Sequence, residues 1–235
     1  RDGERRHLAD RVSADPDVLR LALETRAVAR LARTVALVAA QLLAPQLRLG
    51  LAIVLLGGAV AGIVNPINPL LEPEQIAAIL RETKAKVLVT LKPFPKTDVP
   101  QKAAAAVALA PNVETVIEVD LNRHLSPPKS WIVPLIRPKN PVTHKARVIP
   151  FTQSVARQPS DRLTFVDTPI DRVAAYFHTG GTTGMPKVAQ HKYSGMIYNG
   201  WLGETLLFDA SDVLICPLPL FHVFAAYPVL MSCIA

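Results

Sequence analysis

The sequence predicts an α/β domain, and three observations carry that prediction. Helical patterns alternate with short apolar strands between Gly62 and Val119. A Gly/Thr-rich turn from Thr179 to Pro186 separates two strand-like segments, which makes a hairpin the simplest reading. No segment of the 235 residues repeats itself, so a solenoid or propeller is not expected.

The first 58 residues hold nine Arg, no Lys and no aromatic side chain, and the first aromatic residue of the chain is Phe94. We therefore expect two parts: an Ala/Arg/Leu-rich segment over residues 1–58 and a domain over residues 59–235. Within the first part, Val18, Leu19, Leu21, Leu23, Val28, Leu31 and Val35 are spaced loosely as in a helix, predicted over residues 15–40. The stretch from Thr34 to Val64 is nearly free of charge and is divided by Arg48. Its second run, from Leu49, is sixteen residues long and contains Gly50, Gly57, Gly58 and Gly62, which is short for a bilayer span. A buried helix leading into a buried strand is the favoured reading, and a membrane anchor over residues 34–64 is the alternative.

From Gly62 the elements follow in order. Ile63-Val64 reads as a strand, and Asn65-Pro66-Ile67-Asn68-Pro69 as the loop after it, because proline has no amide hydrogen to donate. Glu72, Pro73 and Glu74 open a helix whose apolar face is Ile76, Ile79 and Leu80. Lys86 to Leu91 reads as a buried strand, Gln101 to Ala110 as an Ala-rich helix and Glu114 to Val119 as another strand. Seven prolines between Ser126 and Pro159 predict a long irregular connection. Beyond it come a strand from Arg172 to His178, the turn, a strand from Lys187 to Gln190, a helix capped by Ser194 and running to Phe208, and a strand from Val213 to Cys216.

Composition narrows the class of function. Half the residues are apolar, which excludes a disordered tail. The formal charge is +7, but Lys and Arg are scattered without the dense basic run that tracks a nucleic-acid backbone, so no nucleic-acid partner is expected. Cys216 and Cys233 stand seventeen apart with no zinc-like spacing, and we expect buried thiols in a reducing compartment and no metal site of the chain's own. The N-terminus is charged and shows no signal-peptide pattern, so the expected location is cytoplasmic, with membrane association as the alternative.

The chemistry concentrates in His178-Thr179-Gly180-Gly181-Thr182-Thr183-Gly184-Met185-Pro186-Lys187. Glycines let backbone amides approach an anion closely, threonine hydroxyls add neutral donors, and Lys187 supplies a cation suited to a polyphosphate. The pattern is not the P-loop of strand-to-helix NTPases, because Met185-Pro186 separates the last glycine from the lysine. A flexible Gly/Thr hairpin with no ligand is the competing reading.

This block resembles the phosphate-binding signature of the adenylate-forming (AMP-binding) superfamily, which includes acyl-CoA synthetases. Thr179, Gly181, Thr182, Thr183, Gly184, Pro186 and Lys187 fill its positions, with Gly180 inside the turn. Asp212 to His222 resembles a second family stretch, in which a Pro-Leu-Phe-His turn stands beside the acyl pocket, and Ala225 replaces the glycine many relatives carry there. Gly62 to Glu74 resembles the segment ahead of the family's first sheet helix.

The resemblance implies part of a large N-terminal α/β domain. It also implies an acid–thiol ligase in which the carboxylate of a fatty or other acyl acid attacks the α phosphorus of ATP, carried with Mg²⁺, to give an acyl-adenylate and pyrophosphate, and the acyl group then passes to the thiol of coenzyme A with release of AMP. It gives the phosphate loop and Lys187 to ATP, and places His222 near the carboxylate. His178, His191, Tyr193 and Trp201 are assigned to packing or surface roles. The family's adenine, ribose, Mg²⁺ and hinge motifs would follow Ala235, so the chain is expected to be a fragment inactive by itself. A nucleotide-binding module without chemistry is the other alternative. The acid activated and the oligomeric state are left open.

Overall fold

The structure is a computed structural model. It describes the backbone of residues 34–38 and 45–233, apart from 139–141, 159–169, 180–186, 208, 210, 213–215 and 217, and side chains from Ile53 onward. Among these described residues, seven strands form one sheet in the order β5-β4-β3-β1-β2-β6-β7. They are β1 (Thr34–Val38), β2 (Ile63–Ile67), β3 (Val87–Leu91), β4 (Thr115–Val119), β5 (Arg147–Pro150), β6 (Val173–Thr179) and β7 (Lys187–Lys192). All neighbours run parallel except β6 and β7, which form an antiparallel hairpin.

The helices cover both faces. On one side α2 (Pro73–Glu82) and α3 (Val99–Leu109) bury Ile76, Ile79, Leu80, Ala103 and Val107 against Leu88, Leu91 and Val116. On the other, α1 (Pro45–Ala61), α6 (Tyr193–Leu206) and a π-helix (Ala225–Met231) pack Val54, Leu55, Met196 and Tyr227 on Val64, Val87, Val89 and Phe177. Burying apolar stripes from both sides is what stabilises a largely parallel sheet. Gly203 of α6 lies against the end of the π-helix so closely that a Cβ there would stand 1.8 Å from Ser232 Oγ.

Several expectations hold. The run after Arg48 is helix into buried strand, as α1 and β2. No helix among the described residues is long and apolar enough to cross a membrane. α2 begins at the expected prolyl turn, with the Glu72 amide donating to Gln75 Oε1 at 3.1 Å.

Others are corrected. Residues 34–38, read as helical, are the central strand β1, because pairing to β2 and β3 on both sides outweighs a loose local spacing; the remainder of residues 15–40 lies outside the described residues. β2 extends through Pro66 to Ile67, where a loop was expected. Its pairing to β6 is confined to Val64, so a residue without an amide hydrogen is accommodated two positions on. The proline-rich connection is not irregular: it contains α4 (Lys129–Ile136), β5 and α5 (Phe151–Ala156). Pro134 sits inside α4 because the carbonyl it leaves unbonded, that of Ser130, accepts from Asn122 Nδ2 at 3.1 Å.

Ser194 does not cap α6. The helix starts at Tyr193, and Asp171 from the β6 approach accepts from the Ser194 amide at 3.0 Å and its hydroxyl at 2.8 Å. α6 ends at Leu206, two residues short of the expected end. Neither thiol is buried, since Cys216 is half-buried and Cys233 exposed, and both are unbridged. The strand expected at Val213 to Cys216 falls largely outside the described residues.

Candidate phosphate-binding site

The β6–β7 hairpin closes with Thr179 directly opposite Lys187. Residues paired across an antiparallel ladder share a face, and alternate residues of one strand share it too. Thr179 and Lys187 therefore project on the same side as Phe177 and His191, whose rings contact each other and Tyr227 edge-to-face at centroid distances of 5.2–5.4 Å. Both Thr179 and Lys187 are exposed at the carboxyl end of β6, the end of a parallel sheet where ligand crevices open. Of the predicted site residues, Gly180, Gly181, Thr182, Thr183 and Gly184 lie outside the described residues.

The turn bearing His222 sits over this same face. Leu220 is buried against Val87, Val89 and Ile117, and Ala226 and Tyr227 are buried with Phe177 and Val64. The His222 amide donates to Pro219 O at 2.8 Å, and the Phe224 amide donates to His222 Nδ1 at 3.3 Å. Because Nδ1 is an acceptor, the neutral ring carries its hydrogen on Nε2, and the exposed imidazole offers a donor. Ala225 is buried at the start of the π-helix and is not among the positive-φ residues, so this turn does not require glycine. The structure thus brings Thr179, Lys187 and His222 to one face of the sheet.

Sequence reading missed what lies beneath the hairpin. His178 Nε2 and Asn65 Oδ1 are 2.7 Å apart, Asn65 Nδ2 donates to Thr83 Oγ1 at 3.1 Å, and Thr83 Oγ1 donates to Ile79 O at 2.8 Å. The directions follow from one another. Thr83 spends its hydrogen on Ile79, so Asn65 must donate to it and must accept from His178, which places the imidazole hydrogen on Nε2. Burial pushes the His178 pKa down to about 4, so the ring is neutral near pH 7. The signals were an Asn next to Val64 and a His next to Phe177, each a polar side chain beside a buried strand residue.

Arg172, at the approach to β6, was also passed over. Its guanidinium donates to Gly62 O at 2.5 Å, Val60 O at 2.7 Å and Ala59 O at 3.0 Å, satisfying carbonyls at and just beyond the end of α1. It also lies 4.8 Å from the centre of the Tyr193 ring. His191 contacts Phe177 and Tyr227, Tyr193 accepts from Arg172 Nη2 at 3.0 Å, His178 stands in the relay, and Trp201 is partly exposed at 40%.

The fold defines the class first: an open α/β sheet with polar groups gathered at the carboxyl end of its strands. Within that class the chain belongs to the AMP-binding enzyme family, whose model matches residues 42–235. A marinolic acid–CoA ligase of Pseudoalteromonas sp. (strain SANK 73390) is 33% identical over 181 residues, covering 72% of this chain and 24% of that protein. A long-chain-fatty-acid–CoA ligase of Bacillus subtilis (strain 168) is 25% identical over 172 residues, covering 69% and 29% respectively. The fold matches the crystal structure of ATP-bound MatB from Rhodopseudomonas palustris with a TM-score of 0.61 at 20% identity, over 90% of this chain and 36% of that one. The chain spans about a quarter of the length of the curated relatives it matches.

Proposed function

We propose that this chain carries the phosphate-binding part of an ATP-dependent acid–thiol ligase. The observation that supports this most is the pairing of Thr179 with Lys187 at the mouth of the hairpin, on the face that also bears His222. In this reading Thr179, Gly180, Gly181, Thr182, Thr183 and Gly184 hold the β and γ phosphates through amides and hydroxyls, and Lys187 offsets their charge. A carboxylate oxygen attacks the α phosphorus, the bond from that phosphorus to the bridging oxygen breaks, and pyrophosphate leaves with the electron pair. His222 Nε2–H donates to an anionic oxygen of the reacting carboxylate. A thiol, that of coenzyme A, then attacks the acyl carbon, releases AMP and loses its proton.

Mg²⁺ belongs to this reading as the ion carried by the triphosphate, bound chiefly by phosphate oxygens and water. In this reading the acid is a fatty or other carboxylic acid, as the names of the CoA-ligase relatives suggest, and a cytoplasmic setting would supply ATP and coenzyme A.

Catalysis requires positioning groups acting together, so 235 residues that span about a quarter of their relatives should bind ATP weakly and turn over negligibly. Calorimetric titration tests the reading. An octanoyl or benzoyl sulfamoyl-adenosine, standing in for the acyl-adenylate, should bind more tightly than ATP, with negligible carboxylate-dependent pyrophosphate exchange. Equal affinities would leave a nucleotide-binding module without acyl chemistry, and brisk exchange would show that these residues suffice.

A further inference from the structure

Among the described residues, α4 carries an apolar stripe without a partner, in a stretch of sequence whose charges are all basic. Trp131, Ile132, Leu135 and Ile136 are 70%, 46%, 79% and 57% exposed. At the helical pitch they fall within one stripe about 140° wide. The helix is not loosely attached. Val133 is buried in the α2–α3 core, Asn122 Nδ2 holds Ser130 O at 3.1 Å, and Arg137 pairs with Asp120 at 2.7 Å. These anchors fix the helix on its opposite side and hold the large side chains outward.

The charge around it is distinctive. From Leu121 to Ser160 there are seven Lys or Arg and no Asp or Glu, which accounts for the whole formal +7 of the chain, the rest being balanced. Arg123, Lys129, Lys145, Arg147 and Arg157 are exposed. A single exposed apolar side chain needs no explanation, but a short helix showing a Trp and three aliphatic side chains in a segment without acids does. Apolar side chains on a basic surface match an anionic bilayer, where the stripe enters the acyl boundary, the Trp ring sits at headgroup level and the cations meet lipid phosphates.

We propose that α4 is a monotopic docking surface for an anionic phospholipid bilayer. The stripe lies flat on the membrane, and Lys129 and its basic neighbours pair with headgroups. The stripe is formed by residues outside the stretch 34–64 and outside the β6–β7 hairpin.

The test uses the chain with Trp201→Phe, which makes Trp131 the sole tryptophan. It is mixed with vesicles of phosphatidylcholine alone or of phosphatidylcholine with phosphatidylserine, then followed by flotation and tryptophan emission. The expected result is flotation with the serine-lipid vesicles, a blue shift of Trp131 emission, and little response to phosphatidylcholine alone. Leu135→Glu should lower the bound fraction about tenfold, as should high salt. Leu135 is so exposed that the thermal midpoint should not move.

Absence of binding to either vesicle would overturn the proposal. So would binding that persists in Leu135→Glu, because another segment would then be responsible. Trp131 emission already blue in buffer and dependent on protein concentration would overturn it in favour of a second copy of the chain.

Discussion

Leu88, Leu91 and Val116, on the β3–β4 flank, are packed by Ile79, Leu80, Ala103 and Val107 in a cluster of apolar side chains. On the β2–β6 flank, Asn65 is fully buried and reaches His178, and Arg172 stitches the end of α1 to the start of β6. The first flank is held by dispersion and the removal of apolar surface from water, which are non-directional. The second has an apolar cluster of its own, with Leu55, Val64, Phe177 and Tyr227, and adds buried hydrogen bonds, which fix orientation and leave costly orphans when broken. The hairpin proposed to grip phosphate stands on the second. Directional support is what a site needs if its donors must hold position, whereas the other flank need only stay packed.

Truncation should separate the two most sharply. Leu80→Ala in the apolar flank should cost about 2–5 kcal/mol of folding stability and lower the thermal midpoint, while ligand affinity per folded molecule stays unchanged. A fall in affinity without a fall in midpoint would erase the distinction.

His222→Ala should act in the opposite sense. Losing an exposed donor should weaken acyl-sulfamoyl adenosine binding about tenfold, with ATP affinity and thermal midpoint little changed. Equal losses for both ligands would place His222 on the nucleotide instead of the acyl group.

The smallest effect is the most specific to the polar flank. His178 has its pKa lowered to about 4 by burial, so the unfolded chain binds a proton there at higher pH than the folded one does. Its contribution is fully present above the ordinary value of 6.5 and is lost as pH falls toward 4. Stability should therefore drop across that window, and His178→Asn should flatten part of the drop. Burial lowers His191 in the same direction, so some slope should remain. An unchanged acid limb in the variant would show that the ring is not held neutral.

The apolar flank was readable because its rules are local and periodic. Ile76, Ile79 and Leu80 announce a helical face, and Lys86 to Leu91 a buried strand, whatever their partners. The polar flank depends on contacts across long stretches of chain. His178 meets Asn65 over 113 residues and Arg172 meets Gly62 over 110, and no periodicity encodes such pairs. β1 was misread for the same reason, since strand pairing on both sides decides it. α4 was hidden behind prolines, and the cost of Pro134 inside it is met by Asn122 from the turn before the helix, a contact that no periodicity encodes. At the candidate site, motif spacing gave the hairpin that the structure shows, but not the relay of His178, Asn65 and Thr83 beneath it.

If the turn closed by Thr179 and Lys187 holds a polyphosphate, calorimetric titration of Lys187→Ala with ATP and with AMP will show it. ATP affinity should fall about tenfold or more while AMP affinity changes little, because the lost cation faced the β and γ phosphates. Equal affinity for ATP with and without Lys187 would contradict it.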